Sequence, residues 1–306
     1  MLMALGELPV AWSLPAADAR AGWRALWWSV GPGNELAVML VQKRNLSRSR
    51  HTRGWVGWSV AAPCDGVLVV VSGGVEHRTA VTGIFPHTTH LVLLPQSRFL
   101  LVQGRTHRDD TGGWERNALL YTAGGHPVSS LCVGDDIDYA LSDRDGGIWT
   151  SYGDEGIYGD HPESAPGLAR WDTDGTHTWS PRGRLPVWPL GGNAGATEES
   201  TAWLAWYSHK GPFVSRVDTA GDVTTYRNPL WGTDGIAVRG TGMLLTRREH
   251  GRSRVELSRA EFLDDAWVIT GQEKLTVPGP VVLYCAQGRD GVLWLRAGDT
   301  WIRFEV

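Results

Sequence analysis

The chain has 306 residues, 42% of them hydrophobic and 20% charged, and carries a formal net charge of −4. That supply of apolar residues excludes a disordered chain, and the acidic balance excludes bulk electrostatic attraction to nucleic acid or to an anionic membrane. No apolar run approaches the roughly 20 residues that a bilayer-spanning helix needs.

The first residues, Met1-Leu2-Met3-Ala4-Leu5-Gly6-Glu7-Leu8-Pro9, carry no basic stretch followed by a long apolar one, so no secretory signal is read there and a cytoplasmic location is expected. Cys64, Cys132 and Cys285 lie far apart, with no CxxC or Cys/His zinc spacing, and are expected as buried free thiols in a reducing compartment. With 17 Trp, 39 Gly and 5 Phe, the chain is built for half-buried pleated surfaces joined by tight turns.

In chain order, Leu8 to Leu14 reads as a strand standing apart from the later ones. Innermost strands are expected to begin near Trp23, His90, Ile137, Asn193, Asp234 and Val281. Each is followed by a second strand, near Leu36, Phe99, Ile148, Trp203, Met243 and Val292. Hairpin turns fall at Gly73-Gly74, Gly124-Gly125, Gly175 and Gly221, so the period is 46 to 51 residues. Arg170-Trp171-Asp172-Thr173-Asp174-Gly175 recurs as Arg216-Val217-Asp218-Thr219-Ala220-Gly221. Arg144-Asp145-Gly146-Gly147-Ile148-Trp149 recurs as Arg289-Asp290-Gly291-Val292-Leu293-Trp294, three periods later. A four-stranded unit with its turns takes about 40 to 50 residues. The expectation is therefore an all-β fold, a six-bladed β-propeller of four-stranded blades forming one domain over 1–306. The part after Val281 holds only three strands, so the N-terminal strand is expected to complete the last blade and close the ring. A pair of β-sandwiches is the alternative fold, and it leaves the repeat unexplained.

A long basic insertion, 43–64, interrupts the first repeat. Lys43, Arg44, Arg48, Arg50 and Arg53 occur there without an acidic residue until after Cys64, and Trp55 and Trp58 follow at once. Basic groups beside aromatics suit an anionic, planar ligand or an acidic partner surface. Loops between second and third strands carry His51, His107, His161, His209 and His250 and share one face with the mouth of the expected axial channel. That mouth is expected to collect His87, His90, Asp135, Asp136, Asp138, Asn193 and Asp234. Asp136, Asp138 and Asp234 are candidate ligands for a divalent cation. The loop after Trp149 adds Tyr152, Asp154 and Glu155, and adjacent carboxylates between glycines can act as general base, hold an ion or grip a guanidinium. No GxSxG, HExxH, P-loop or strand-following GxGxxG is present.

The stretch from Asp145 to Gly159, reading DGGIWTSYGDEGIYG, with Gly167-Leu168-Ala169-Arg170-Trp171-Asp172 and Gly175 after it, resembles a family of bacterial β-propeller proteins with no assigned activity. Members carry DG-x-[IV]-W-x-x-Y-F-D-E-G-[VI]-[FY]-G there, and Gly153 stands where many have an aromatic residue. The resemblance implies the propeller fold and draws attention to Asp154 and Glu155; it implies no activity.

Two functions stay open. One is a binding module that holds an anionic small molecule or a protein partner on its loop face, through Arg44, Arg48, Arg50, His51, Arg53, Trp55, Trp58, His90, Tyr152, Asn193 and His209. Neither a membrane nor a nucleic acid is expected as its partner. The other is an enzyme, a metal-dependent lactonase-like hydrolase or a ring-closing biosynthetic enzyme, with Asp154 and Glu155 as the acid pair. A propeller hosts both.

Overall fold

Short strands, many of them joined by turns that contain residues of positive φ, make up most of the described residues. A computed structural model describes residues 8–48, 58–249, 252–282 and 284–306. Its contacts divide the chain into two compact units, one of residues 14–180 and one of residues 1–13 with 181–306.

β1 (Val10–Ser13) belongs to the second unit, and the first opens with the five-residue helix α1 (Ala16–Arg20). β2 (Trp23–Val30) and β3 (Leu36–Gln42) follow. β4 (Leu46–Arg48) and β5 (Trp58–Val60) then form a separate two-stranded ribbon inside the basic insertion. β6 (Cys64–Ser72) and β7 (Val75–Ile84) complete an antiparallel sheet in the order β2-β3-β6-β7. The pattern repeats with β8 (Thr88–Leu93), β9 (Phe99–Gln103), β10 (Ala118–Tyr121) and β11 (Pro127–Leu131). It repeats again with β12 (Ile137–Ser142), β13 (Ile148–Tyr152), β14 (Leu168–Trp171) and β15 (His177–Trp179), the four-residue helix α2 (Asp154–Ile157) lying between β13 and β14.

The second unit continues in the same way. β16 (Gly191–Glu198), β17 (Thr201–Ser208), β18 (Gly211–Val217) and β19 (Val223–Arg227) form one meander. β20 (Gly235–Arg239), β21 (Gly242–Arg248), β22 (Arg254–Leu263) and β23 (Ala266–Thr276) form the next. β24 (Ala286–Arg289), β25 (Val292–Ala297) and β26 (Thr300–Glu305) are the last three strands of the chain. β1 pairs antiparallel with β26 and supplies the fourth strand of that meander, as the sequence leads one to expect. A short parallel bridge, Ala196 to Gly288 and Thr197 to Arg289, joins β24 to β16 and merges two meanders into one eight-stranded sheet. Gly288 is required there. A Cβ on it would lie 2.1 Å from the Ile236 carbonyl oxygen and 2.5 Å from the Ala196 Cβ.

The expected start of the last inner strand at Val281 is wrong by five residues. Pro278 and Pro280 remove two ladder donors, and Tyr284 takes a left-handed φ of 57°, so the chain is still turning where a strand had been expected. The other first and second strands begin within two residues of the expected positions.

First and second strands of each meander are mostly buried, and Leu36 to Val41 is a continuous apolar run with no exposed residue. Outer strands are one-sided or exposed, as in β7 and β23. Successive sheets within a unit bury their faces against one another. Met39, Leu68, Leu91 and Leu101 fill the space between the first two sheets, Val102, Ala140 and Ile148 that between the next two. In the second unit, Leu8 joins the cluster of Leu244, Leu257, Ile302 and Phe304.

The repeated Asp at turns has a structural role. In Asp109, Asp143, Asp172 and Asp218 one carboxylate oxygen accepts the backbone N–H groups two and four residues on, at 2.7 to 3.2 Å. The glycines of these turns then take positive φ, 89° at Gly175 and 84° at Gly221.

Candidate functional site

The acidic loop after β13 begins at Gly153, which is extended, and turns at once into α2. Asp136 caps this turn. Its Oδ2 accepts the backbone N–H groups of Glu155 at 3.0 Å and Gly156 at 3.3 Å. Gly156 fits because a Cβ there would sit 2.2 Å from the Asp135 carbonyl oxygen. Arg105, from the segment between β9 and β10, grips Asp135 with Nε at 2.9 Å and Nη2 at 3.3 Å and pairs with Glu155 through Nη1. Asp135 also accepts the Thr106 N–H at 2.9 Å. These interactions, the Asp135 pairing above all, raise the Arg105 guanidinium above its ordinary value. Of the two candidate carboxylates, Glu155 is thus tied to the exposed Arg105, and Asp154 stands exposed in the first turn of α2.

Tyr152 is brought into the core instead of the loop face. It is fully buried, and its hydroxyl donates to the Val133 carbonyl at 2.9 Å and accepts the Trp171 indole N–H at 3.0 Å. Burial pushes its phenol well above the usual range. His90 is buried with Nε2 3.1 Å from the Ile137 carbonyl oxygen, and Asp138, the residue after Ile137 on β12, is buried too. Asp234 belongs to the other unit, where it pairs with Arg248 and accepts that residue's backbone N–H at 2.8 Å. Among the described residues, no group of three or more His, Cys, Asp and Glu side chains is arranged to hold a metal ion.

Of the basic insertion, Lys43, Arg44, Arg48 and Trp58 are described; Arg50, His51, Arg53 and Trp55 lie outside the described residues, as does His250. β4 and β5 bring Arg48 opposite Trp58. Lys43 Nζ stands 5.8 Å and the Arg48 guanidinium 5.6 Å from the Trp58 ring centre, so two cations share one indole. Lys43, Arg44 and Arg48 are exposed. Of the loop histidines, His107 and His209 are exposed, and His161 is buried.

Asn193 lines an open cavity of about 350 Å³ in the second unit, with Trp206, Tyr207, Pro212, Asn228, Trp231 and Thr233 among its other walls. Composition announces the tryptophans but not which two would line one cavity. Trp206 is buried, its indole N–H given to Ser215 Oγ at 2.9 Å, and stacks on Phe213 at 4.6 Å. The loop between β19 and β20 holds Trp231 out. Asn228 Oδ1 accepts the Leu230 N–H at 3.0 Å and its Nδ2 donates to Thr233 Oγ1 at 3.0 Å, while Thr233 Oγ1 donates to the Leu230 carbonyl at 2.8 Å. Leu230 is buried under this knot and Trp231 is left 59% exposed. Among the described residues, no charged one lines the cavity.

Neither a family model nor a curated protein sequence matches the chain. Solved structures do. A streptogramin B lyase matches at 10% identity over 91% of this chain and 92% of its own, with a TM-score of 0.44. The Cps50 (Swd1) β-propeller domain of Myceliophteria thermophila matches at 10% identity over 92% and 97%, with a TM-score of 0.47. The hydrazine synthase of Kuenenia stuttgartiensis matches at 9% identity over 92% and 95%, with a TM-score of 0.51. At such identities the likeness to the hydrazine synthase is one of fold alone, and the other two are looser still.

Proposed function

We propose that the chain is a six-bladed β-propeller, a single domain closed by β1, and that it works as a binding module whose ligand is a neutral, ring-shaped small molecule seated between Trp206, Tyr207 and Trp231. The six four-stranded meanders and the pairing of β1 with β26 support the propeller. The observation that carries the binding reading is the pinned loop Asn228 to Thr233, which holds a large indole 59% exposed beside an uncharged aromatic cavity. Exposing an indole on a rigid loop forgoes burial free energy, and a pre-organised face for a ring returns it on binding. Asn193 supplies a carboxamide at the wall to orient polar edges.

A saturation-transfer NMR screen of monosaccharides and nucleosides tests this. Compounds that bind the wild type should lose about tenfold in affinity in Trp231→Ala, the scale of one lost stacking contact, with melting unchanged. Equal affinity in both proteins overturns the assignment.

A second surface suits an anionic ligand or protein partner. Arg44, Arg48 and Lys43 are exposed on or beside the β4–β5 ribbon, with Trp58 as their aromatic support. The enzymatic alternative, with a divalent cation held by Asp136, Asp138 and Asp234 and the acid pair Asp154 and Glu155, has less support: Asp136 is spent on the α2 N–H groups, Asp234 on Arg248 and Glu155 on Arg105.

A further inference from the structure

The segment that leaves β11 and the loop between β13 and β14 meet in the first unit over a cavity of about 410 Å³. Cys132 and His161 both line it, with Glu163, Trp114, Arg116 and His177. Cys132 Sγ lies 3.5 Å from His161 Nε2. On the other side of the ring, His161 Nδ1 is 3.2 Å from Ser164 Oγ and 3.5 Å from Glu163 Oε2. Ser164 Oγ is itself fixed, accepting the Asp135 N–H at 2.8 Å. The indole of Trp114 covers the imidazole at 4.6 Å between ring centres, and Arg108 stands over Trp114 at 4.6 Å.

Two groups face Nδ1: the Ser164 hydroxyl, which can donate or accept, and the Glu163 carboxylate. A carboxylate can only accept, so Glu163 favours the proton on Nδ1. The Nε2 lone pair is then left facing the thiol. Burial lowers His161 below its usual value and raises Cys132 above its own. At neutral pH both are therefore uncharged, a thiol beside a neutral base, and not a preformed ion pair. A nucleophile within reach of a base that a third group orients is the arrangement covalent acyl transfer needs.

We propose that Cys132 is a nucleophile with His161 as its general base and Glu163 as the positioning residue, in a cavity that takes a small acyl donor, an ester or thioester. As Sγ adds to the carbonyl carbon, its proton passes to His161 Nε2. The tetrahedral adduct then breaks its bond to the leaving oxygen or sulfur, which takes that proton from His161. The products are S-acylated Cys132 and a free alcohol or thiol; no oxidant or reductant enters.

The test uses the full chain and p-nitrophenyl acetate. Release of p-nitrophenol should reach one equivalent per chain, and peptide mass mapping should place the acetyl group on Cys132. Cys64, half-buried beside Asp65 and Asn45, is the internal control and should acetylate at least about tenfold more slowly. His161→Asn should slow acetylation of Cys132 about 100-fold, the scale of a general base. Glu163→Gln, at a half-exposed position, should keep the fold, slow the reaction several-fold and displace its pH profile. Should His161→Asn fail to fold, the Glu163→Gln profile decides. Acetylation of Cys132 no faster than that of Cys64, or the same rate and pH profile in the foldable variants as in wild type, overturns the proposal.

Discussion

Asp143 shows how much a single side chain organises. It is fully buried; one carboxylate oxygen accepts the N–H groups of Asp145 and Gly147, and the other accepts the Trp149 indole N–H at 2.9 Å and the Arg170 Nε at 2.9 Å. The Arg170 guanidinium in turn stands 5.6 Å from the Trp149 ring centre. Asp143→Asn would point an amide donor at donors and leave Arg170 without its anion. The expected cost is about 3 kcal/mol, the scale of a broken, largely buried ion pair. Asp172 makes the same two turn bonds at a half-exposed position, and among the described residues no cation pairs with its second oxygen. Asp172→Asn should cost under about 1 kcal/mol. Urea unfolding with an unchanged m-value measures both, and equal losses in the two variants would remove the ion pair from the account.

Among the elements, the hairpins are legible in the sequence, and of the candidate sites only Asn193 and the charge of the basic insertion are. Gly175 and Gly221 follow Asp at a fixed offset, and a turn that needs positive φ can be read from one strand of sequence. The inner strand at β24 was misplaced because Pro278, Pro280 and the left-handed Tyr284 leave no period-two signal. Tyr152 looked like part of a loop motif, yet its hydroxyl is spent inside the core on Val133. Cys132 and His161 are 29 residues apart and meet only because neighbouring sheets pack, so no local pattern announces them. The basic insertion was legible as charge, and β4 and β5 give its base a shape. Changing Arg44 and Arg48 to Ser should cost the fold no more than about 1 kcal/mol, since the groups are exposed and one cation–π contact is lost. If the ribbon meets an anionic partner, wild type should elute from a heparin column at higher salt than the double variant. Identical elution at equal folding would leave Lys43, Arg44 and Arg48 as an ordinary solvated face.

At the scale of the molecule, the second compact unit is assembled from both ends of the chain: residues 1–13 belong with 181–306. β1 is the only means among the described residues by which β26 gains an outer neighbour. The join is more than backbone pairing. Trp12 packs on Trp301 at 5.2 Å, Ser13 Oγ donates to Thr300 Oγ1 at 3.0 Å, and Leu8 enters the core beside Ile302 and Phe304. Removing residues 1–13 withdraws the burial of Leu8 and Trp12, worth about 4 kcal/mol on area grounds, and leaves β26 as an open edge. A loss of that size lowers the melting temperature of a unit this long by about 10 °C, and an unpaired hydrophobic edge invites pairing with a second chain. Calorimetry of the truncated protein should therefore show a lower first transition, and light scattering should show association that rises with protein concentration. Adding a synthetic peptide of residues 1–13 in excess should reverse both effects, because a ligand that binds only the folded state stabilises it in proportion to its occupancy. A truncated chain that melts and scatters like the full one would mean that β26 needs no partner, and the proposed closure of a propeller by its first strand would have to be given up.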